Sequence, residues 1–319
     1  MKTGENMGRG RLEAGAGRKA EWIMKRTGIV TDSHSGIEKE EADRLGIYVL
    51  PMPFYIDGSC YYEGVTIGRE EFFQKLEAGA QVQTSQPSPA EVMGVWDQAL
   101  SEYEEILYMP ISSGLSGSYG TARVLAEEEP YQGRVYPVDH GQVATPLHQM
   151  ILDALEMIKK GYSAVKIREI LEKARDRMMI FICVETLEYL KRGGRITPAA
   201  AALGTVLQIK PVLKLEVGKL DSYKKCHGFL KARRTAIEAM KQLIETKFQA
   251  AYQAGALRLF AASSADEKET EGWIAEIKRI FPGMEVMCDN LSLGVSCHTG
   301  PGALGIGCSV CPEFEDAEE

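Results

Sequence analysis

The chain has 319 residues, 45% of them apolar and 26% charged, with a formal net charge of −8. That length accommodates two domains of ordinary size, each with its own core. The acidic balance and the lack of a dense basic stretch argue against nucleic acid as the main partner, and no apolar run approaches the roughly 20 residues that span a bilayer.

Residues 1–26 open with a stretch rich in Gly, Ala and charge, without the apolar core of a signal peptide. They read as a disordered tail, with Met24 a candidate start. "TGIVTDSHSG" then predicts a strand ending in a polar loop at Thr31-Asp32-Ser33, and "IEKEEADRLG" a helix stopping at Gly46. "IYVLPMPFYI" is an apolar run, and Asp57-Gly58 marks a hairpin turn after it. "GREEFFQKLEAG" is a helix. Thr84-Ser85-Gln86-Pro87 is a loop leading to a capping box, Ser88 with Glu91 three residues on, and Pro89 at the first helical position.

"EEILYMPIS" reads as a strand and "GSYGTARVLAEEE" as a helix. After the strand "GRVYPVD", Thr145-Pro146 caps a helix, and Ser163 starts another. Strands alternating with helices of this length predict a doubly wound, mostly parallel sheet over residues 27–177. A second α/β domain with a mixed sheet is expected over 178–319. It starts at "MIFICV", continues through a short helix ended by Gly193-Gly194 and a helix "AAAALGTVLQI" capped by Thr197-Pro198, and includes a hairpin turning at Gly218. The chain closes with "LGVSCHTGPGALGIGCSV", in which "HTGPGALGIG" reads as a glycine-rich loop around His298.

The seven cysteines are scattered and odd in number, which fits packed thiols in a reducing compartment better than a disulfide framework. Cys308 and Cys311 form one C-x-x-C near Cys297-His298, but a zinc site lacks its second C-x-x-C, so no metal is expected.

In an open α/β sheet, ligands bind where loops converge beyond the carboxyl ends of the strands. The Ser112–Ser118 loop supplies hydroxyls and helix-N-terminal N–H groups, which suit a carboxylate or phosphate or simply cap a helix. Gly114-Leu115-Ser116-Gly117-Ser118 approaches the G-x-S-x-G nucleophile elbow but lacks its last glycine. His298 in its glycine-rich stretch is either structural or ligand-facing. Lys191, Arg192 and Arg195 flank the double glycine, either as a solvated helix end or as an anion contact.

Together, "IVTDSHSG", "TSQPSPAE", "ISSGLSGSYGTA", "TLEYLKRGGRI", "LQIKPVL" and "HTGPGALG" resemble the DegV family of bacterial fatty-acid-binding proteins, in that order, from about Thr27 to Val310. The resemblance implies a long-chain fatty acid held between two α/β domains. It also implies that Thr84, Ser116, the Gly117 N–H and His298 meet the carboxylate, and that Arg195 stands near the mouth. The protein would then be a cytoplasmic carrier without cofactor or catalytic residue, presenting its acid to the ATP-binding subunit of a fatty acid kinase, whose acyl phosphate feeds phospholipid synthesis. Three features depart from the family pattern: Ser118 in place of Thr, Asp139-His140 in place of Asp-Ser, and Lys225-Cys226-His227-Gly228 where a basic segment often has Arg. The last bears on partner docking. The alternative from another class is a serine hydrolase of acyl esters using Ser116.

Overall fold

The computed structural model describes residues 25–202, 209–215 and 218–314. Residues 1–24 of the segment read as a tail lie outside these, as does most of the helix expected after Ala202. Lys25 and Arg26 already belong to the first strand.

Strands β1 (Lys25–Asp32), β2 (Tyr48–Leu50), β6 (Tyr103–Met109) and β7 (Val135–Pro137) form a parallel sheet in the order β2-β1-β6-β7. Period-two alternation sends Ile29, Leu107 and Met109 to one face, under α1 (Lys39–Leu45), α5 (Thr145–Lys159) and α6 (Ala164–Lys173). Val30, Ile106 and Tyr108 point the other way, under α3 (Pro89–Leu100) and α4 (Ser118–Leu125). Both faces are covered, as the crossovers of a parallel sheet require. The expected capping box at Ser88 and Glu91 is present, and so is the Ser163 cap.

"IYVLPMPFYI" is not one strand. Pro51-Met52 divides it, because proline cannot donate to a ladder. β2 stays in the parallel sheet, while β3 (Pro53–Ile56) pairs with β4 (Ser59–Tyr62) and β5 (Val82–Thr84) in a separate antiparallel sheet. The Asp57-Gly58 turn has φ of 48° and 82°, the positive values that a tight hairpin demands. Phe72 and Leu76 of α2 (Arg69–Glu77) join Phe54 and Val82 in a small core there.

The other large sheet is mixed. It contains β8 (Met178–Cys183), β9 (Ile209–Leu215), β10 (Asp221–His227), β11 (Leu257–Ser263), β12 (Val286–Asn290) and β13 (Leu304–Val310), in the order β10-β9-β8-β13-β11-β12. The short α7 (Glu188–Gly193) and α8 (Pro198–Ala201) follow β8, and α10 (Gln249–Gln253) precedes β11. The glycine-rich loop is shorter than expected, residues 300–303, between a helix, α12 (Leu293–Thr299), that holds His298 and the central strand β13. Leu304, Ile306, Cys308 and Val310 face a core built with α9 (Phe229–Thr246) and α11 (Glu267–Ile280). The opposite face of β13 carries Gly305 and Gly307, so its alternation is apolar against bare backbone and does not read as a strand. All seven cysteines are free. Among the described residues, no three His, Cys, Asp or Glu side chains are grouped to hold a metal.

Thr145 does not cap α5. Ala144 is the N-cap residue, and the Thr145 hydroxyl instead donates to Ala261 O at 2.8 Å and accepts from Asp289 N at 3.3 Å. One fully buried hydroxyl thus stitches α5 onto the β11–β12 seam of the mixed sheet. Reaching that seam forces Ala144 to φ 54°, ψ −142°, a region that a residue with a Cβ occupies at a cost of about 1–3 kcal/mol. Ala144→Gly should therefore raise stability by roughly 1 kcal/mol in urea unfolding, after the extra unfolded-state entropy of glycine is subtracted. A lower midpoint at unchanged m-value would show that the backbone there is unstrained.

Candidate functional site

A cavity with about 1000 Å³ of atom-free space, counted with its open mouth, lies between the mixed sheet and the loops beyond the parallel strands. Its walls are largely apolar, with Ile180, Ile182, Leu215 and Phe260 from the sheet and Leu291 and Val295 from around α12. Its polar members cluster. Thr84, Ser116, Arg195 and His298, separated widely in sequence, all line it, together with His34.

Thr84 is the last residue of β5, paired with Phe54, and not a member of the following loop as its sequence context implies. Its Oγ1 lies 2.9 Å from His298 Nε2. His298 stands in the last turn of α12, which Gly300 terminates at φ 73°. Its Nδ1 is buried against Gly193 without a hydrogen-bond partner. The tautomer that leaves no buried N–H unpaired has Nε2–H donating to Thr84 Oγ1. The threonine O–H is then available to a ligand acceptor. Burial, with Arg195 and His34 nearby, lowers the His298 pKa to about 3, so the imidazole is neutral.

Ser116 closes a turn in which Leu115 N and Ser116 N both donate to Ser112 O. Its hydroxyl lies 2.9 Å from Ser118 Oγ and accepts from Ser118 N at 3.3 Å. Gly117 is the N-cap of α4 and is not among the cavity-lining residues. A Cβ there would lie 2.7 Å from Gln86 Oε1. Arg195 follows the left-handed Gly194 that ends α7. It donates from Nε to Leu115 O at 3.1 Å and from a terminal nitrogen to Gly193 O at 2.7 Å. A guanidinium has five N–H donors, so these two bonds fix its plane and leave others for an anion.

Two residues of the "TDSHS" loop carry site roles that its sequence does not announce. His34 lines the cavity and is held at 3.1 Å by Ser292 Oγ, and burial lowers its pKa to about 4. Asp32, fully buried, accepts from His34 N at 2.9 Å and from Ile111 N at 2.8 Å, clamping two wall loops together. Burial raises its pKa to about 7, against the pull of those two bonds. The only sequence signal for either was a polar residue at a strand's carboxyl end.

The sequence profile of the DegV family, described as uncharacterised proteins, matches residues 26–310. The chain belongs to the DegV family. A DegV domain-containing protein of Deinococcus radiodurans is 32% identical over 280 residues, which are 87% of this chain and 96% of the relative. A DegV family protein from Thermus thermophilus, whose structure is described in terms of fatty acid binding, superposes with a TM-score of 0.78 at 33% identity, covering 89% of this chain and 99% of its own. A fatty-acid-binding DegV family protein from Streptococcus agalactiae gives a TM-score of 0.78 at 25% identity, covering 92% and 100%. The parallel four-stranded sheet and the separate mixed six-stranded sheet are thus the DegV architecture, and the cavity of this DegV chain lies between them.

Proposed function

We propose that this protein carries one long-chain fatty acid in the cavity between two domains, 27–177 and 178–319, with the carboxylate at Thr84, Ser116 and His298 and with Arg195 beside it. The observation that carries this reading is the cavity itself, with apolar walls and a cluster of hydroxyl, imidazole and guanidinium groups. Each buried CH2 contributes about 0.8 kcal/mol, so the tail supplies most of the affinity. The polar cluster has only to satisfy the carboxylate, whose burial unpaired would be far more costly. A carboxylate accepts and does not donate, and the Thr84 hydroxyl freed by His298 is a donor.

The same geometry disfavours a hydrolase. Ser116 Oγ is engaged with Ser118, His298 Nε2 with Thr84, and His34 Nδ1 with Ser292. Neither cavity histidine is placed as a base on Ser116. Chemistry on the acid would come from a partner, and we assign that role to a fatty acid kinase subunit making acyl phosphate in the cytoplasm. Its docking face would include the edge strand β10, where Lys225 and His227 are exposed. Cys226 between them points into the core, so the part of the departing segment that this face presents is Lys225, His227 and Gly228. Among the described residues, no helix is long and apolar enough to cross a membrane.

Native mass spectrometry before and after denaturation should release a C14–C18 acid from the purified protein. Thr84→Ala and Ser116→Ala should each weaken binding of added acid by about 1.5–3 kcal/mol, the worth of a hydrogen bond to a charged group. No bound acid together with no uptake would refute the carrier. Normal affinity in both variants would move the head group elsewhere.

A further inference from the structure

The mixed sheet presents three successive rungs on the side opposite its helix-packed core. In the first, Ile182, Gly305 and Ala262 are register partners across β8, β13 and β11. In the second, Ile180, Gly307 and Phe260 align, and in the third Met178, Ser309 and Arg258. The first two rungs line the cavity. Their central positions have no side chain, so a straight trough runs along β13. It is one strand wide and is walled at the second rung by Ile180 and Phe260. A Cβ on Gly307 would sit 3.2 Å from Ile180 Cγ1 and 3.8 Å from Phe260 Cβ, so the trough has no room for a side chain of its own there.

The third rung is different in kind. Arg258 reaches across to Asp153 of α5 at 2.5 Å, and Asp153 also accepts from Gln149 at 3.2 Å. The Asp153 side chain is only 4% exposed. Helix α5 runs alongside β11, anchored to it twice, by Thr145 on Ala261 and by Asp153 on Arg258. An acyl terminus pushed past the second rung would have to part a hydrogen-bonded ion pair whose carboxylate is buried and whose guanidinium is 28% exposed, leaving the Asp153 charge without its partner.

We propose that Gly305 and Gly307 form the floor of an acyl trough and that the Asp153–Arg258 pair is its end-stop, so that these residues set the longest unbranched chain the protein accepts. From the first rung to the third is four strand residues, roughly 13 Å at about 3.3 Å each. Branched chains meet Ile180 and Phe260. The trough rests on the fatty-acid reading above, and the test separates the two.

Straight-chain saturated acids from C10 to C18 are titrated against the full-length protein by displacement of a fluorescent acid. The wild type should gain affinity with each CH2 up to a limiting length and then gain no more. Gly307→Val should move that limit to shorter acids, with a loss of about fourfold for each CH2 excluded, so that it falls further behind the wild type as the acid lengthens. Asp153→Leu combined with Arg258→Met removes charge and adds no bulk to the trough floor. It should move the limit to longer acids, and it keeps the proposal testable should Gly307→Val fail to fold. A double variant with an unmoved limit, or a Gly307→Val protein weakened equally at every length, overturns the end-stop. A wild type that binds acids but shows no limiting length also overturns it, while leaving the carrier standing. A wild type that binds no acid of any length overturns both.

Discussion

Gly193→Ala should cost the protein about ten- to hundredfold in fatty acid affinity. A Cβ at Gly193 would lie 1.9 Å from His298 Nδ1 and 2.5 Å from Cε1, well inside any tolerable contact. The struck group is a buried ring, not the loose end of a flexible side chain, so it cannot yield cheaply. The ring must tilt, and the 2.9 Å contact between Nε2 and Thr84 goes with it. Thr84 then loses the donor that orients its hydroxyl, so its O–H is no longer held toward the carboxylate. A hydrogen bond to a charged group is worth about 1.5–3 kcal/mol, which gives the stated loss. Overpacking adds about 1–3 kcal/mol of lost stability, visible in urea unfolding. The decisive control is His298→Ala, which removes the ring. In that background Gly193→Ala should cost little further, a coupling that a double-mutant cycle measures directly. Additive losses would show that the glycine is needed for some reason other than the imidazole.

As pH falls from 6.5 to 4.5, three buried histidines should withdraw stability and three buried carboxyls should return it, leaving the fold nearly indifferent to pH in that window. Burial lowers His34 and His140 to about 4 and His298 to about 3. Below pH 6.5 the unfolded chain takes up protons at these histidines and the folded chain does not, so each withdraws stability as pH falls. Asp32 and Glu63 act in the opposite sense. Burial raises both to about 7, so in this window they are protonated when folded and ionised when unfolded, and they contribute stability as pH falls. Burial also raises Asp153, against the pull of Arg258, so three carboxyls oppose three histidines and their proton uptakes largely cancel. Urea midpoints at a series of pH values check the near-flat profile. Histidine ring NMR checks its source, since three imidazoles should remain neutral at pH 5. A steep slope, or three charged rings at that pH, would contradict the assignment.

Much of the architecture was legible because it is encoded locally. The Ser88 and Ser163 caps, the Asp57-Gly58 turn and the alternation of Ile29 with Val30 each depend on neighbours a few residues away. Where the reading failed, the decisive partner was remote. Thr145 resembles a helix cap because Thr-Pro commonly is one, yet its hydroxyl is claimed by Ala261, 116 residues later. β13 looked like a loop because two of its side-chain positions are empty.

Helix period, strand period and turn chemistry are short-range properties, so the two α/β sheets, the polar loops at strand ends and the family of the chain could all be read residue by residue. Only the tertiary structure decided that Thr84 faces His298 across 214 residues, that Arg195 holds the carbonyl of Leu115, and that Asp153 meets Arg258. Hydrogen bonds and ion pairs act over a few ångströms in space whatever the separation along the chain, so these pairings exist only once sheet order and register have brought their strands together.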